Sequence, residues 1–420
     1  MKIAVDTTRK YCDCGLQGAF WPSLALRNPT RLVPLDGLEL RFACTSCAGT
    51  IGLPIREHAT ALLEHLNFGS IVLDGMLAFL LFAGSLNVNH AEILEQKLTV
   101  GVLATAGVVV STFLVGGLTW LFGCYLGLGL NLSESLLFGA IISPTDPIAV
   151  LGILRGSGAP KSLEAQMAGE SLFNDGMGVV MFSVILGLAA ASGGAAHGPG
   201  AGTIAFMLVR EVAGSLALGL AIGWLTFLLL RSVDNYQVEI LLTLALAMGL
   251  YSLATALHTS GPLAVVVAGL LIGGKGRAHA MSPRTVQHLD MFWEMIDEVL
   301  NVVLFVLIGF EFLVVPLSGS LLLLGMVVVV LVLVGRYLSV GTAVLALGRR
   351  RRFQPHAVKI LTWDGLRGGL SLAMVLSLGP SIAGRHTILA ITYLAVVFSI
   401  AVQGLSFGRL VKATSAGAQA

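Results

Sequence analysis

Charged side chains are scarce in this chain of 420 residues, in which Asp, Glu, Lys and Arg make up 11% and apolar residues make up 56%. A soluble domain usually carries about 25% charged residues. The 25 Lys and Arg and the 23 Asp and Glu therefore cannot cover a globular surface of this size. The scarcity argues against a soluble enzyme, a disordered protein and a nucleic-acid-binding protein, and it predicts that most of the surface contacts the lipid bilayer.

Cysteine is also scarce, because five residues are too few for a disulfide scaffold in a chain of this length. Four of them lie in an N-terminal tail whose first 20 residues lack the apolar stretch of a signal peptide. Their spacing, Cys12-Asp-Cys14 and Cys44-Thr-Ser-Cys47, is not typical of a zinc knuckle. We predict three segments: an atypical N-terminal tail of residues 1–67, a transmembrane domain of residues 68–411 and a short cytoplasmic tail of residues 412–420.

Eleven apolar runs are candidates for membrane spans, because a spanning helix needs about 20 mostly apolar residues. Their length and their lack of strict alternation indicate helices rather than barrel strands. The fold class is therefore an all-α polytopic membrane protein. The seventh run is short, which predicts a tilted or partly irregular helix. The spans cover roughly residues 68–87, 98–124, 135–153, 168–191, 204–230, 238–257, 261–274, 292–315, 319–347, 357–379 and 386–408.

The basic residues of the loops predict the orientation of the chain. The loops after the odd-numbered spans, together with the C-terminus, carry almost all of the Lys and Arg between spans, whereas Arg385 is the one basic residue in the opposite loops. Basic loops face the cytoplasm, so the C-terminus is predicted to be cytoplasmic. The N-terminal tail breaks this rule, since it carries seven basic residues on the opposite side: Lys2, Arg9, Lys10, Arg27, Arg31, Arg41 and Arg56.

Several ionisable residues fall inside the predicted spans, where a charge is costly and by default indicates function. Most of them lie in two blocks that resemble mirror versions of one arrangement. The candidates are Asp74, Asp146, Glu170, Asp175, Glu311, Arg336, Asp364 and Arg367.

The first block contains two prolines, Pro144 and Pro147, on either side of Thr145 and Asp146. Proline removes a backbone donor and clashes with the preceding turn, so the pair predicts a break in the third span. Asp146 before a proline is typical of the start of a new half-helix. Broken helices at membrane depth line cavities or substrate sites; a structural kink without a ligand is the alternative.

The same block continues in the fourth span, where Ser171 and Asp175 stand four residues apart, as do Glu170 and Asn174. Residues four apart share one face of a helix. Hydroxyl and carboxylate oxygens suit hard cations such as Na⁺, and a carboxyl group removed from water can also hold a proton. The alternative is an Asn and Asp hydrogen-bonding cluster that only holds helices together.

The second block places Gly365, Gly368 and Gly369 beside Asp364 and Arg367. Three glycines weaken a helix in mid-span, which predicts a second break. Half-helix ends carry opposed partial charges, so Asp146 would offset N-terminal ends and Arg367 would offset C-terminal ends.

Arg336 lies deep in the ninth span and needs an acidic partner. We predict that this partner is Glu170. The alternative is that Arg336 extends to the membrane interface.

These motifs resemble those of the NhaP-type sodium/proton antiporters, which are relatives of the animal sodium/proton exchangers. Leu80–Gly84 resembles an early span of that family, and the likeness runs from about Phe68 to Leu410. The matching strings are Ile142-Ser-Pro-Thr-Asp-Pro147, Gly169-Glu-Ser-Leu-Phe-Asn-Asp-Gly176, Gly335-Arg336 and Asp364-Gly-Leu-Arg-Gly-Gly369. The resemblance implies an inverted-repeat fold with two broken helices that cross, usually thirteen helices, and a homodimer.

The resemblance also implies roles for single residues. Asp175 would bind Na⁺ and H⁺ in turn, with Ser171 and Thr145 supplying neighbouring oxygens. Asn174 stands where the electrogenic branch of the family has a second Asp, which implies electroneutral exchange. Glu170 and Arg336 would form a structural ion pair, and no cofactor is implied beyond the transported Na⁺ and H⁺.

Eleven spans correspond to family helices three to thirteen, so the N-terminal tail stands where the first two family helices would be. We therefore expect an altered N-terminus, and dimerisation is open because the first family helix contributes to the dimer. Asp74 and Glu311 have no firm role, and each could line a cavity or funnel, as could Asp364.

The predicted function is exchange of Na⁺, or of Li⁺ or K⁺, for H⁺ across the cytoplasmic membrane. An impaired or non-functional homologue and a passive channel are the alternatives within transport. An intramembrane protease is disfavoured, because Gly-x-Gly-Asp is absent around Asp175 and Gly-x-Ser-x-Gly is absent around Ser171. The chain is therefore not predicted to be an enzyme.

Overall fold

The computed structural model describes thirteen stretches of the chain. It divides the chain into two compact units, one of Met1–Asn67 with Val306–Pro316 and the other of Phe68–Phe305 with Leu317–Ala420. The described residues are 20–26, 38–44, 50–54, 71–88, 90–126, 130–146, 150–152, 154, 161–192, 201–314, 319–348, 356–379 and 382–416.

A small antiparallel sheet forms in the first unit and is not among the predicted elements. Its strands are β1 (Phe20–Leu26), β2 (Leu38–Cys44) and β3 (Thr50–Pro54), in the order β1-β2-β3. Strands β1 and β2 pair in a register that sets Phe20 opposite Cys44. The string Leu-Glu-Leu-Arg-Phe in β2 alternates apolar and charged residues, which is the pattern of a strand with two different faces.

Helices make up nearly all of the other described residues, and they occupy all eleven predicted span positions. The class of all-α polytopic membrane protein is thereby confirmed. The helices are α1 (Leu77–Asn87), α2 (His90–Val102), α3 (Val108–Leu126), α4 (Leu132–Ile142), α5 (Lys161–Ser192), α6 (Ala201–Arg231), α7 (Tyr236–Ala256), α8 (Gly261–Leu271), α9 (Pro283–Val314), α10 (Gly319–Leu347), α11 (Ala357–Trp363), α12 (Gly369–Leu376), α13 (Arg385–Phe398) and α14 (Leu405–Ala416).

Seven helical segments in the described part are long and apolar enough to cross a membrane, and α1 and α4 are shorter apolar helices. Four π-helical turns interrupt these segments, at Ile71–Met76, Leu103–Gly107, Ile272–Gly276 and Ser399–Gly404. The third of them follows α8 and leads into a short helical turn, Arg277–His279. The irregularity predicted for this span is therefore a wider helical turn within it.

A capping box fixes the start of α4, the first half of a broken span. The backbone N–H of Glu134 donates to the Asn131 Oδ1 at 2.8 Å, and the backbone N–H of Asn131 donates to the Glu134 Oε2 at 3.0 Å. The other carboxylate oxygen of Glu134 accepts from the backbone N–H of Gly384 at 2.7 Å. Glu134 thus also ties α4 to the turn before α13.

Close packing holds α4 against α3. A Cβ atom added to Gly116 would lie 2.9 Å from the backbone of Leu136, and one added to Gly139 would lie 2.9 Å from the backbone N of Gly116. Small residues let helices in lipid approach at their backbones. This contact fixes α4 where it ends at the first break.

Trp293 on α9 forms the centre of one buried cluster. Its side chain is fully buried, and its ring centroid lies 4.7 Å from that of Phe82 on α1. Its indole N–H donates to the Thr243 Oγ1 on α7 at 3.1 Å. Burial of an aromatic ring with a satisfied N–H is a strong packing contact, so this cluster fixes α9 against α1 and α7.

Candidate functional site

The first break lies where the sequence predicts it. Helix α4 ends at Ile142, residues 143–146 are not helical, and residues 150–152 are helical again. The Ser143 hydroxyl donates to the backbone carbonyl of Gly139 at 2.6 Å and lies 3.0 Å from the Thr112 hydroxyl. These bonds satisfy polar groups that the proline-bearing segment exposes at the end of α4.

The second break separates α11, which ends at Trp363, from α12, which begins at Gly369. The two breaks touch directly, because the backbone N–H of Asp146 donates to the backbone carbonyl of Leu366 at 2.8 Å. Two broken spans therefore cross at this point, and each provides a backbone partner for the other. This is the arrangement that the resemblance implies.

Arg367 lies at the C-terminal end of α4. Its Nη1 donates to the backbone carbonyls of Ser143 and Pro144, at 2.8 Å each, and its backbone N–H donates to the Ser399 hydroxyl at 2.8 Å. Carbonyls at a helix C-terminus carry partial negative charge. The buried Arg367 guanidinium therefore lies where its positive charge can offset the partial negative charge at the C-terminal end of α4.

Asp146 lies near the N-terminal end of α12. Gly368 directly precedes α12, and a Cβ atom added to it would lie 2.8 Å from the Cβ and 2.9 Å from the Cγ of Asp146. The Asp146 carboxylate therefore faces the N-terminal end of α12, where the partial charge is positive. Only glycine leaves room for this approach.

Helix α5 presents a row of oxygen-bearing side chains to the first break. The Asn174 amide spans Thr145, because its Nδ2 donates to the Thr145 Oγ1 at 2.7 Å while its Oδ1 accepts from the Thr145 backbone N–H at 3.3 Å. The Ser171 hydroxyl donates to the Thr145 backbone carbonyl. Ser171 and Asp175 line the same cavity, as their spacing of four residues predicts.

An ion pair between Glu170 and Arg336 joins α5 to α10. Both side chains are buried, with 1% and 6% of their surface exposed. The Arg336 Nε also donates to the backbone carbonyl of Leu361 on α11 at 3.2 Å. Asp364, which is 3% exposed, interacts electrostatically with both members of the pair. The pair therefore connects three elements around the second break.

A cavity of about 520 Å³ lies beside the crossing. Five carboxylates line it, whereas its described lining contains no Lys, Arg or His. Charges of one sign in a low-dielectric cleft concentrate ions of the opposite sign. The cavity is therefore suited to a cation. The carboxylates belong to Glu92, Asp146, Glu164, Asp175 and Asp297.

The structure brings Thr145, Asp146, Ser171, Asn174 and Asp175 together at one wall of this region. The side chains of Asp74 and Glu311, which the sequence suggests as funnel residues, lie outside the described part of the chain.

Sequence reasoning missed six polar residues of the cavity lining: Asn87, Glu92, Glu164, Asp297, Asn301 and Ser371. Glu92 and Glu164 begin α2 and α5 near the predicted loops, so they resemble ordinary acidic residues in a first turn. Asp297 and Asn301 stand four apart in the middle of a predicted span, a spacing that could have revealed them.

A comparison with known proteins decides the family. The profile described as "Sodium/hydrogen exchanger, transmembrane" matches residues 44–413. The chain belongs to this family. The match begins within the predicted N-terminal tail, earlier than the start of the likeness expected near Phe68. The family consists of membrane transporters, so this chain is a multi-pass membrane protein of a transporter family.

Relatives of this exchanger-family chain cover most of its length. The Na⁺/H⁺ antiporter NhaP of Pseudomonas aeruginosa is 44% identical over 374 residues, which are 87% of each chain. The Na⁺/H⁺ antiporter NhaH of Halobacillus dabanensis is 34% identical over 370 residues, 87% of this chain and 88% of that relative.

A solved structure shares the fold. The sodium proton antiporter MjNhaP1 of Methanocaldococcus jannaschii at pH 8 superposes with a TM-score of 0.67 and 21% sequence identity. The match covers 85% of this chain and 87% of that chain. The antiporter fold is thereby confirmed for the transmembrane part.

Proposed function

We propose that this chain exchanges Na⁺ for H⁺ across the cytoplasmic membrane, and that the two ions compete for the carboxylate of Asp175. The observation that carries the proposal is the acidic cavity, which reaches Asp175 beside two crossing broken helices and has no basic residue in its described lining. The names of the relatives, as Na⁺/H⁺ antiporters, support the choice of ions. Li⁺ and K⁺ remain alternative cations.

The cavity lining reaches helix ends that are predicted to be cytoplasmic. Four lining residues lie at the end of α1 and near the starts of α2 and α5: Asn87, Val88, Glu92 and Glu164. These helix ends adjoin loops after the first and third spans, which belong to the basic set. Basic loops face the cytoplasm, and the C-terminus lies on the same side. We infer that the cavity opens to the cytoplasm and that the described conformation is inward-facing.

Competition at one carboxylate couples the two fluxes. Asp175 holds either a proton or a cation, and oxygens of Ser171 and Thr145 lie near the cation. The site changes its accessible side when Asp175 holds one of these two ions and not when it is empty. Movement of one helix bundle against the other then exposes the site to the opposite side. Arg367 and Asp146 keep the half-helix ends neutralised in both states.

Exchange is electroneutral because Asn174 adds no second negative charge beside Asp175. Both the amide nitrogen and the amide oxygen of Asn174 form hydrogen bonds with Thr145. One carboxylate charge then exchanges one Na⁺ for one H⁺, and the membrane potential does no work on the cycle.

Vesicle transport tests the proposal. Everted vesicles with the unaltered chain should dequench a pH-sensitive dye on addition of Na⁺, whereas vesicles with Asp175→Asn should not, at equal protein levels. Asp234→Asn is the matched control, since Asp234 is an exposed carboxylate outside the cavity lining. Normal dequenching by Asp175→Asn contradicts the site assignment, and no dequenching by the unaltered chain supports the impaired-homologue alternative.

A second measurement tests electroneutrality. A potential of 100 mV does about 2.3 kcal/mol of work on one moved charge, which is about 50-fold in an equilibrium constant. Clamping vesicles with valinomycin at different K⁺ gradients should therefore leave the Na⁺ gradient that balances a given pH gradient unchanged. A balance point that moves with the imposed potential contradicts the one-for-one exchange.

A further inference from the structure

Helix α9 brings two polar side chains to the cavity that the exchange mechanism above does not use. Asp297 and Asn301 stand one helical turn apart, and both line the cavity. Asp297 is half-buried, whereas Asn301 is 7% exposed. The Trp293 cluster fixes the preceding turn of α9, so these two side chains are held by a packed scaffold rather than by a loop.

Asn301 has an acceptor atom that the described residues leave unsatisfied. Its amide nitrogen donates a hydrogen bond to the Asp297 carboxylate, while its Oδ1 is buried and has no hydrogen-bond partner among the described residues. A buried amide oxygen without a partner is rare and costly in native structures. An unsatisfied oxygen on a residue that lines an acidic cavity is a candidate ligand for a hard cation.

The charges around Asp297 favour a cation at this place. The carboxylates of Asp146, Glu294 and Glu298 all interact electrostatically with Asp297, and all have the same sign. No basic side chain among the described lining residues offsets them. A monovalent cation beside Asp297 would therefore reduce the repulsion among these groups as well as coordinate the free oxygen.

Contacts next to the pair show where the cavity ends. Leu304, three residues after Asn301, is buried and lines the cavity together with Gly368 and Gly369. A Cβ atom added to Gly369 would lie 2.5 Å from the Cγ and Cδ2 atoms of Leu304. Helix α9 therefore packs on the start of α12 directly beyond Asn301, so the pair is at the deep end of the cavity.

We propose that Asp297 and Asn301 form a second site for a monovalent cation, at which Na⁺ binds before it passes to Asp175. The Asp297 carboxylate supplies the charge and the Asn301 Oδ1 supplies a neutral oxygen. The site raises the local Na⁺ concentration beside Asp175, where the exchange of Na⁺ for H⁺ takes place. This inference rests on the proposed exchange function.

Equilibrium binding of ²²Na⁺ to purified full-length protein separates the two sites. Asp175→Asn should retain saturable Na⁺ binding, and the double variant Asp175→Asn/Asp297→Asn should lose it. Asp175→Asn/Asn301→Leu should lose it as well, which tests the neutral oxygen without changing a charge. Asp175→Asn/Glu294→Gln is the matched control, because Glu294 is an exposed carboxylate one turn earlier on α9 that does not line the cavity, and it should retain binding.

Transport kinetics test the same site in the otherwise unaltered chain. Asp297→Asn and Asn301→Leu should each raise the KM for Na⁺ about tenfold, since a lost binding contact of about 1.4 kcal/mol gives that factor. The maximal rate should stay within about twofold, because the lost contact is not made in the rate-limiting step. Asp297→Glu should restore most of the affinity. Gel-filtration profiles in detergent establish that each variant is folded.

The outcomes distinguish this inference from the proposed function. Loss of exchange in Asp175→Asn together with unchanged Na⁺ binding in the Asp297 and Asn301 double variants overturns the second site alone. An unchanged KM in Asp297→Asn and Asn301→Leu also overturns it, as does equal loss of binding with Glu294→Gln, which would indicate a general field effect. Exchange that survives in Asp175→Asn overturns the proposed function instead.

Discussion

The buried ion pair between Glu170 and Arg336 provides a quantitative prediction about stability. Glu170→Gln removes the charge partner of a guanidinium whose side chain is 6% exposed. The remaining hydrogen bond of Arg336 goes to the Leu361 carbonyl, and its Nη2 has no hydrogen-bond partner among the described residues. Breaking a buried pair by removing one partner costs about 3–5 kcal/mol, so we expect this loss in the free energy of unfolding.

The chain supplies its own control for this prediction. Arg277 and Asp290 form a second ion pair, with side chains 25% and 39% exposed. Exposed pairs contribute about 0–1 kcal/mol, so Asp290→Asn should have a small effect. The measurement is reversible unfolding by SDS titration in mixed micelles, with every variant assayed under the same conditions.

A double-mutant cycle completes the test. Arg336→Met in the Glu170→Gln background should restore much of the lost stability, because neither charge of the pair then remains buried without the other. The reasoning is refuted if Glu170→Gln costs no more than Asp290→Asn, or if the double variant loses the sum of both single losses.

Three further predictions concern the crossing of the broken helices. Asn174→Asp places a second carboxylate beside Asp175 and removes an amide donor to Thr145. Exchange should then depend on the imposed membrane potential in the valinomycin assay. Exchange that stays independent of the potential contradicts the claim that the number of carboxylates sets the charge moved in each cycle. Gly368→Ala sets a methyl group against the Asp146 carboxylate and should abolish dye dequenching. Gly117→Ala is the control, because its methyl group meets no atom within 4 Å, and it should leave dequenching intact. Equal activity of the two variants contradicts the close approach of Gly368 to Asp146. Arg367→Met leaves the carbonyls at the end of α4 without their buried cation and should lower the yield of folded protein in detergent gel filtration, and a wild-type profile argues against charge compensation.

Local sequence signals predicted the parts of the site that depend on local chemistry. Pro144 and Pro147 indicate the first break because proline cannot continue a helix, and the three glycines from Gly365 to Gly369 indicate the second. The pairing of Glu170 with Arg336 followed from the cost of a lone charge in lipid. The helical spacing of Ser171 and Asp175 predicted that they share one helix face, and in the structure both line the cavity.

Long-range placement was not accessible in the same way. The four-residue spacing of Asp297 and Asn301 places both on one face of α9, but nothing local shows that this face is turned towards Asp146. The direction of the Ser171 hydroxyl, towards the Thr145 carbonyl, depends on how the broken backbone leaves α4. The alternation of Leu38, Glu39, Leu40 and Arg41 in β2 is a local strand signal, but it lies in the N-terminal tail, for which the sequence analysis predicts no regular element.

The central claim is that Na⁺ and H⁺ compete for one carboxylate, and proton release on Na⁺ binding tests it most directly. Addition of NaCl to purified protein in weakly buffered detergent solution should release protons into the medium, whereas choline chloride should not. We predict that Asp175→Asn releases none, while Asp234→Asn releases as many as the unaltered chain. Undiminished proton release from Asp175→Asn, or Na⁺ binding to the unaltered chain without any release, would contradict the claim.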